Sequence, residues 1–165
     1  MTEQPTHEDP SDLDIEILKK LTEDSRISLR QLAKELDVGS PVTIKKHVED
    51  LEKNGVIIDY GAKINFEKLG YEIMAIIEIT ISKGKMFEVE EKIAENPNVF
   101  GVYDITGTYD ALILARFKTR DELSKMIKEI HKSPNVERTN THFVLNTIKE
   151  GISFAALKEK EKSKK

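Results

Sequence analysis

The chain has 165 residues, of which 38% are apolar and 34% charged, with a formal net charge of −4 and no cysteine. That length suits one ordinary domain or two small ones, and the apolar fraction is enough for a packed core, which excludes wholesale disorder. No window approaches the ~18 apolar residues of a membrane span, and the polar, acidic start MTEQPTHEDPSD carries no secretory signal, so no membrane partner and a cytoplasmic location are expected.

Residues 1–10 are expected to form a disordered arm. Ser11 then caps a helix, with Asp14 at capping-box spacing and Leu13, Ile17, Leu18 and Leu21 forming one apolar stripe. The polar run TEDSR ends it. Ser28 caps a second helix, with Gln31 at the reciprocal position and Leu29, Leu32, Ala33 and Leu36 facing inward. After the break at DVG, Ser40 caps a third, and Pro41 suits its first position because the missing N–H has no helical partner there. Ile44, Val48 and Leu51 continue the stripe until Asn54-Gly55 stops it. Three short helices with a tight turn between the last two predict a helix-turn-helix.

Val56 to Tyr60 and Lys63 to Asn65 are expected to pair as a small linker hairpin. The period then changes. Glu72 to Ser82 reads as a strand, Lys85 to Glu95 as a helix, Val99 to Thr106 and Ala111 to Phe117 as a hairpin around the turn GTYD, Thr119 to His131 as a capped helix, and Asn135 to Ile148 as a last strand. The order β-α-β-β-α-β is the ferredoxin-like plan. In the first strand Ile73, Ala75, Ile77, Ile79 and Ile81 alternate with Met74, Ile76, Glu78 and Thr80, so both faces are largely apolar and the open one wants a partner; self-association is the simplest supply. The tail GISFAALKEKEKSKK has an apolar start and a charged end expected to be disordered.

The negative net charge argues weakly against nucleic acid, because phosphate contacts need Lys and Arg. Its distribution matters more. Between Arg26 and Val48 five basic residues face two acidic ones, and the last eight residues repeat that balance. On the third helix Thr43, Lys46, His47 and Asp50 point outward, with Lys45 near the boundary. A recognition helix presents its first turns to base edges; Lys and His can donate to guanine, and Thr can touch the thymine methyl. Ser40 with the free N–H groups at the helix start can hold phosphate, and Arg26, Ser28 and Arg30 stand where the backbone would pass. Spacing alone leaves a plain solvated face equally open.

The segments LDIEILKKLTEDSRISLRQLAKEL and TIKKHVEDLEKNGVI closely resemble the amino-terminal half of Lrp/AsnC transcription regulators. The matching residues are Asp14, Ile17-Leu18, Leu21, Asp24, Arg26-Ile27-Ser28, Leu32-Ala33, Leu51-Glu52 and Gly55-Val56-Ile57. VYDITGTYDALILARF resembles the strand-turn-strand element of the family's ligand-sensing domain, at Gly107 and Asp110. The resemblance spans roughly residues 12 to 150. It departs at Leu36-Asp37-Val38-Gly39-Ser40, where Asp37 occupies the usual Gly position and one extra residue precedes the third helix. Aspartate tolerates the left-handed conformation such a turn needs.

The resemblance implies an α+β chain: a winged helix-turn-helix domain over 11–56, a linker hairpin over 57–70, a ferredoxin-like ligand-sensing and assembly domain over 71–150 and a charged tail over 151–165. It implies double-stranded DNA and further copies of the chain as partners, as a dimer, dimer of dimers or octamer, and a free amino acid as effector. The implied effector site joins Gly107, Thr108, Tyr109 and Asp110 with Thr139 and Thr141. Asp110 would take the ammonium group and Gly107 would let backbone approach; taken alone, those two residues equally serve as turn former and turn cap. An amino-acid-binding regulatory subunit working through protein contacts is the alternative. His7, His47, His131 and His142 form no His-x-x-x-His pair, and the glycines form no phosphate loop. Neither metal, cofactor nor catalysis is therefore expected.

Overall fold

The computed structural model describes residues 10–82 and 84–162. Residues 1–9 of the expected arm and 163–165 of the tail lie outside them. The chain divides into two units, one running to Lys63 and resuming at Glu150, the other spanning Ile64–Lys149.

In the first unit, α1 is Asp12–Glu23, α2 Leu29–Glu35 and α3 Pro41–Lys53. Each starts where a serine hydroxyl replaces a missing helical acceptor. Ser11 and Asp14 close a full capping box. Ser28 Oγ accepts from Gln31 N at 3.1 Å, while the Gln31 side chain donates forward to Glu35 rather than back to the cap. Ser40 Oγ accepts from Val42 N at 3.2 Å. Ile17, Leu18, Leu32, Ala33, Ile44 and Leu51 are buried together, and each full burial of a large aliphatic contributes about 1.5–3 kcal/mol. Asp37 stands at φ 53, so the turn from α2 to α3 is made with the left-handed residue the sequence pointed to.

Two expectations fail here. Residues 56–66 form no strand pair. The Val56 and Ile57 N–H groups return to the Leu51 carbonyl and close α3 instead. The tail is not wholly irregular either: α6 spans Phe154–Lys162, Ser153 Oγ accepts from Ala156 N at its start, and Phe154 packs on the core of the first three helices.

In the second unit a 3-10 turn at Glu67–Leu69 leads into β1, Ile73–Ile81. Next come α4 (Met86–Ala94), β2 (Val99–Asp104), β3 (Ala111–Phe117), α5 (Arg120–His131) and β4 (Val136–Phe143). The antiparallel sheet runs β2-β3-β1-β4, the ferredoxin-like order. Ala75, Ile77, Ile79 and Ile81 of β1 are buried with Ala111, Ile113, Ala115 and Phe117 of β3 under Val89 and Ile93 of α4 and Leu123, Met126 and Ile130 of α5. Strand β4 stops five residues short of the expected end at Ile148. Val144 N donates to the Met74 carbonyl, β1 begins at Ile73, and no partner strand remains beyond.

The register puts Met74, Ile76, Glu78 and Thr80 on the opposite face with Leu112, Leu114 and Arg116, and with Arg138, Asn140 and His142. No helix covers that face among the described residues of this unit, and its β1 and β3 positions remain half-exposed. Among the described residues no helix is long and apolar enough to cross a membrane.

Candidate nucleic-acid interface and effector turn

Helix α3 buries Ile44 and Leu51. At 100° per residue the direction opposite them falls on Val42, Lys46, Glu49 and Lys53, flanked by Thr43, Lys45 and Asp50, and all of these are exposed. Lys45 Nζ lies 3.4 Å from Glu49 Oε1, with both side chains 60% exposed, a weak surface pair. Lys46 has no ion pair or hydrogen bond among the described residues. His47 differs from expectation. Its Nδ1 lies 2.7 Å from Asp14 Oδ1 and its side chain is half-buried, so it leans toward α1 rather than outward.

The side chains of Arg26 and Arg30 are exposed and carry no described partner. The Ser28 and Ser40 oxygens are occupied as caps, but each hydroxyl still has a proton to donate. Arg26, Ser28 and Arg30 thus flank the start of α2, and Ser40, Thr43, Lys45 and Lys46 gather at the start of α3. Sequence reasoning missed Val42, a 74% exposed apolar residue on the same outward stripe. The helical period that placed Lys46 outward would have found it.

The β2–β3 turn brings Gly107, Thr108, Tyr109 and Asp110 together. Gly107 has φ 126, a conformation closed to side chains with a Cβ. Asp110 is tied twice to β1: its N–H donates to the Ile79 carbonyl at 2.9 Å, and its Oδ2 accepts from Ile81 N at 2.8 Å. That second bond falls where the β1–β4 register shifts, between Thr80 and Ile81. Tyr109 is half-buried, with the Arg138 guanidinium 5.7 Å from its ring centre. Thr139 and Thr141 pair with Ile79 and Ile77 on the helix-covered face, and Thr139 Oγ1 lies 2.6 Å from His131 Nε2 of α5. Thr139 sits one strand from the turn, with β1 between, whereas Thr141 lies deeper along the sheet. Arg138 was not foreseen; its signal was a basic residue at the strand position opposite Thr80.

On the open face Glu78 Oε2 accepts from Asn140 Nδ2 at 2.9 Å and from His142 Nε2 at 3.0 Å. These bonds, His142's first, hold the Glu78 carboxyl below its ordinary range. A charged residue placed among Ile76, Leu112 and Leu114 is therefore satisfied within the chain.

Comparison with known proteins gives a consistent result. Residues 10–58 match a winged helix-turn-helix DNA-binding model, and residues 74–154 match the Lrp/AsnC ligand binding domain. An HTH-type transcriptional regulator of Pyrococcus furiosus is 44% identical over 139 residues, covering 84% of this chain and 93% of that one. The structure of E. coli AsnC superposes with a TM-score of 0.80 at 29% identity, covering 87% of this chain and 97% of that one. An L-Met complex of a Neisseria meningitidis transcriptional regulator superposes with a TM-score of 0.78 at 26% identity, covering 87% and 94%.

Proposed function

The chain belongs to the Lrp/AsnC family of DNA-binding transcription regulators, and from that premise we propose how its own residues divide the work. Helix α3 enters the major groove, with Thr43 and Lys46 at base edges and Lys45 released from Glu49 toward phosphate. Ser40 and the α3 N-terminus hold one backbone phosphate, and Arg26, Ser28 and Arg30 hold another. His47 orients α3 against α1 through Asp14. The observation that carries this assignment is the exposed, unpartnered ammonium of Lys46 on the stripe directly opposite the buried Ile44 and Leu51.

The open sheet face supplies self-association, at least to a dimer, because Ile76, Leu112 and Leu114 lie uncovered there while Glu78 is already paired. Two copies would present two recognition helices to successive major grooves. The turn supplies the effector site. One Asp110 oxygen is committed to Ile81, and the other faces no described partner, so it can accept an ammonium group. Arg138, beside Tyr109, offers the matching cation for a carboxylate. A free amino acid bound there shifts the regulator by favouring one oligomeric arrangement over another. The bound L-Met of the Neisseria meningitidis regulator supports the choice of ligand class.

Sedimentation with and without duplex DNA tests the assembly part of this reading. Wild type should sediment as a dimer or larger. Leu114→Glu should give a folded monomer whose DNA affinity falls about 100-fold or more through lost avidity. A variant that keeps both oligomer and affinity would remove the open face from the account.

A further inference from the structure

Val42 is 74% exposed and is the one large apolar side chain exposed anywhere in α1, α2 or α3 among the described residues. A single exposed valine means little by itself. Its place gives it meaning. It is the second residue of α3, after Pro41, and shares the outermost stripe with Lys46, Glu49 and Lys53, all charged. Nothing about folding accounts for it: the side chain covers no core, and a β-branched residue is a poorer helix former than the straight-chain residues below it on the stripe.

The site is also rigid. Val42 N donates to Ser40 Oγ at 3.2 Å, which fixes the backbone of the first turn. In a helix valine keeps one χ1 rotamer in about nine cases of ten, so its two methyl groups point outward in a fixed direction. The first turn of a recognition helix is the part that meets base edges, and in the major groove the apolar group on those edges is the C5-methyl of thymine.

We propose that Val42 is a specificity-determining residue that packs against one thymine methyl in each half-site and selects T·A at that position, with Lys46 one helical turn farther along the same stripe. This rests on α3 being the recognition helix.

The test uses the full-length protein and its selected operator, with each thymine replaced in turn by deoxyuridine, which lacks only the methyl group. Wild type should lose about four-fold affinity at one thymine of each half-site, the value of one buried methyl-sized group. Val42→Ala should bind the unmodified operator more weakly and show no further loss on methyl removal there. Val42→Ile should keep the methyl dependence. Equal methyl dependence in wild type and Val42→Ala, or none at any thymine in wild type, overturns the assignment. Failure of wild type to select any operator from a random duplex pool would instead refute the recognition-helix reading, and this proposal with it.

Discussion

Asp14 joins two helices: its Oδ2 takes the Ser11 N–H at 2.8 Å and the Ser11 hydroxyl, while its Oδ1 lies 2.7 Å from His47 Nδ1. One carboxylate thus completes the N-terminal cap of α1 and anchors the second turn of α3. Burial, the largest single influence, pushes this carboxyl up, but the bonds from Ser11 and His47 and the charge on His47 together hold it below its ordinary value. A depressed folded value means the carboxylate stabilises the fold above the ordinary pKa of 3.8, and that contribution is lost as pH falls below it. Asp14→Asn should cost about 1 kcal/mol in urea melts at pH 6, and the difference from wild type should shrink as the melts are taken into acid.

His47 should behave as a positioning residue. His47→Ala should weaken all duplexes by a similar factor and leave the selected sequence unchanged. A changed base at one operator position in that variant would restore His47 as a base contact.

Lys46 and Lys45 differ in their surroundings. Lys45→Ala, which removes a phosphate contact, should lower the slope of log affinity against log salt by about one unit, whereas Lys46→Ala should cost about 1–3 kcal/mol against its preferred base. Glu49→Gln should raise affinity for every duplex, since it frees Lys45 and removes a negative charge from the face turned to DNA. Titrations at four salt concentrations check both.

Asp110 carries two roles that substitutions can separate. Asp110→Ala strands the half-buried Ile81 N–H and should cost about 1–3 kcal/mol in denaturant melts. Asp110→Asn keeps an oxygen for that N–H and removes the charge, so it should fold normally and lose its response to amino acids. A full response in Asp110→Asn would remove the carboxylate as the ammonium partner.

On α4, Glu90 Oε1 is buried with no hydrogen-bond partner among the described residues. Burial first, then the Asp104 carboxyl beside it, pushes the Glu90 carboxyl up to about 7. A raised folded value means stability is greatest with Glu90 protonated and is lost as pH rises from the ordinary 4.5 toward 7. Glu90→Gln should flatten that stretch of the stability profile and stabilise the protein at pH 8 by about 1 kcal/mol, once solvent screening is allowed for. Melts at pH 5 and pH 8 decide it.

Local chemistry was legible in the sequence. The caps at Ser11, Ser28, Ser40 and Thr119, and the left-handed Asp37, all lie within a few residues of what they control. Strand order followed from element order, because ferredoxin-like connections leave few alternatives. What failed turns on competing local bonds or on distant partners. Val56, Ile58 and Tyr60 alternate as a strand would, yet Val56 and Ile57 are drawn back to Leu51. The second apparent strand turns at once, where Asn65 Oδ1 takes the Lys68 N–H. The tail helix depends on Phe154 reaching the helical core. In the site, the contacts of His47 with Asp14 and of Asp110 with Ile81 span 33 and 29 residues, so no local pattern could reveal them.

At stake is the reading of DNA sequence by α3, held by Asp14 and presented twice by a self-associated chain. The most direct measurement is selection from a random duplex pool across a salt series, with sequencing of the bound fraction. The expected outcome is a palindrome with half-sites about one helical turn apart, bound more weakly as salt rises. A folded oligomer that enriches no sequence at any salt would contradict it.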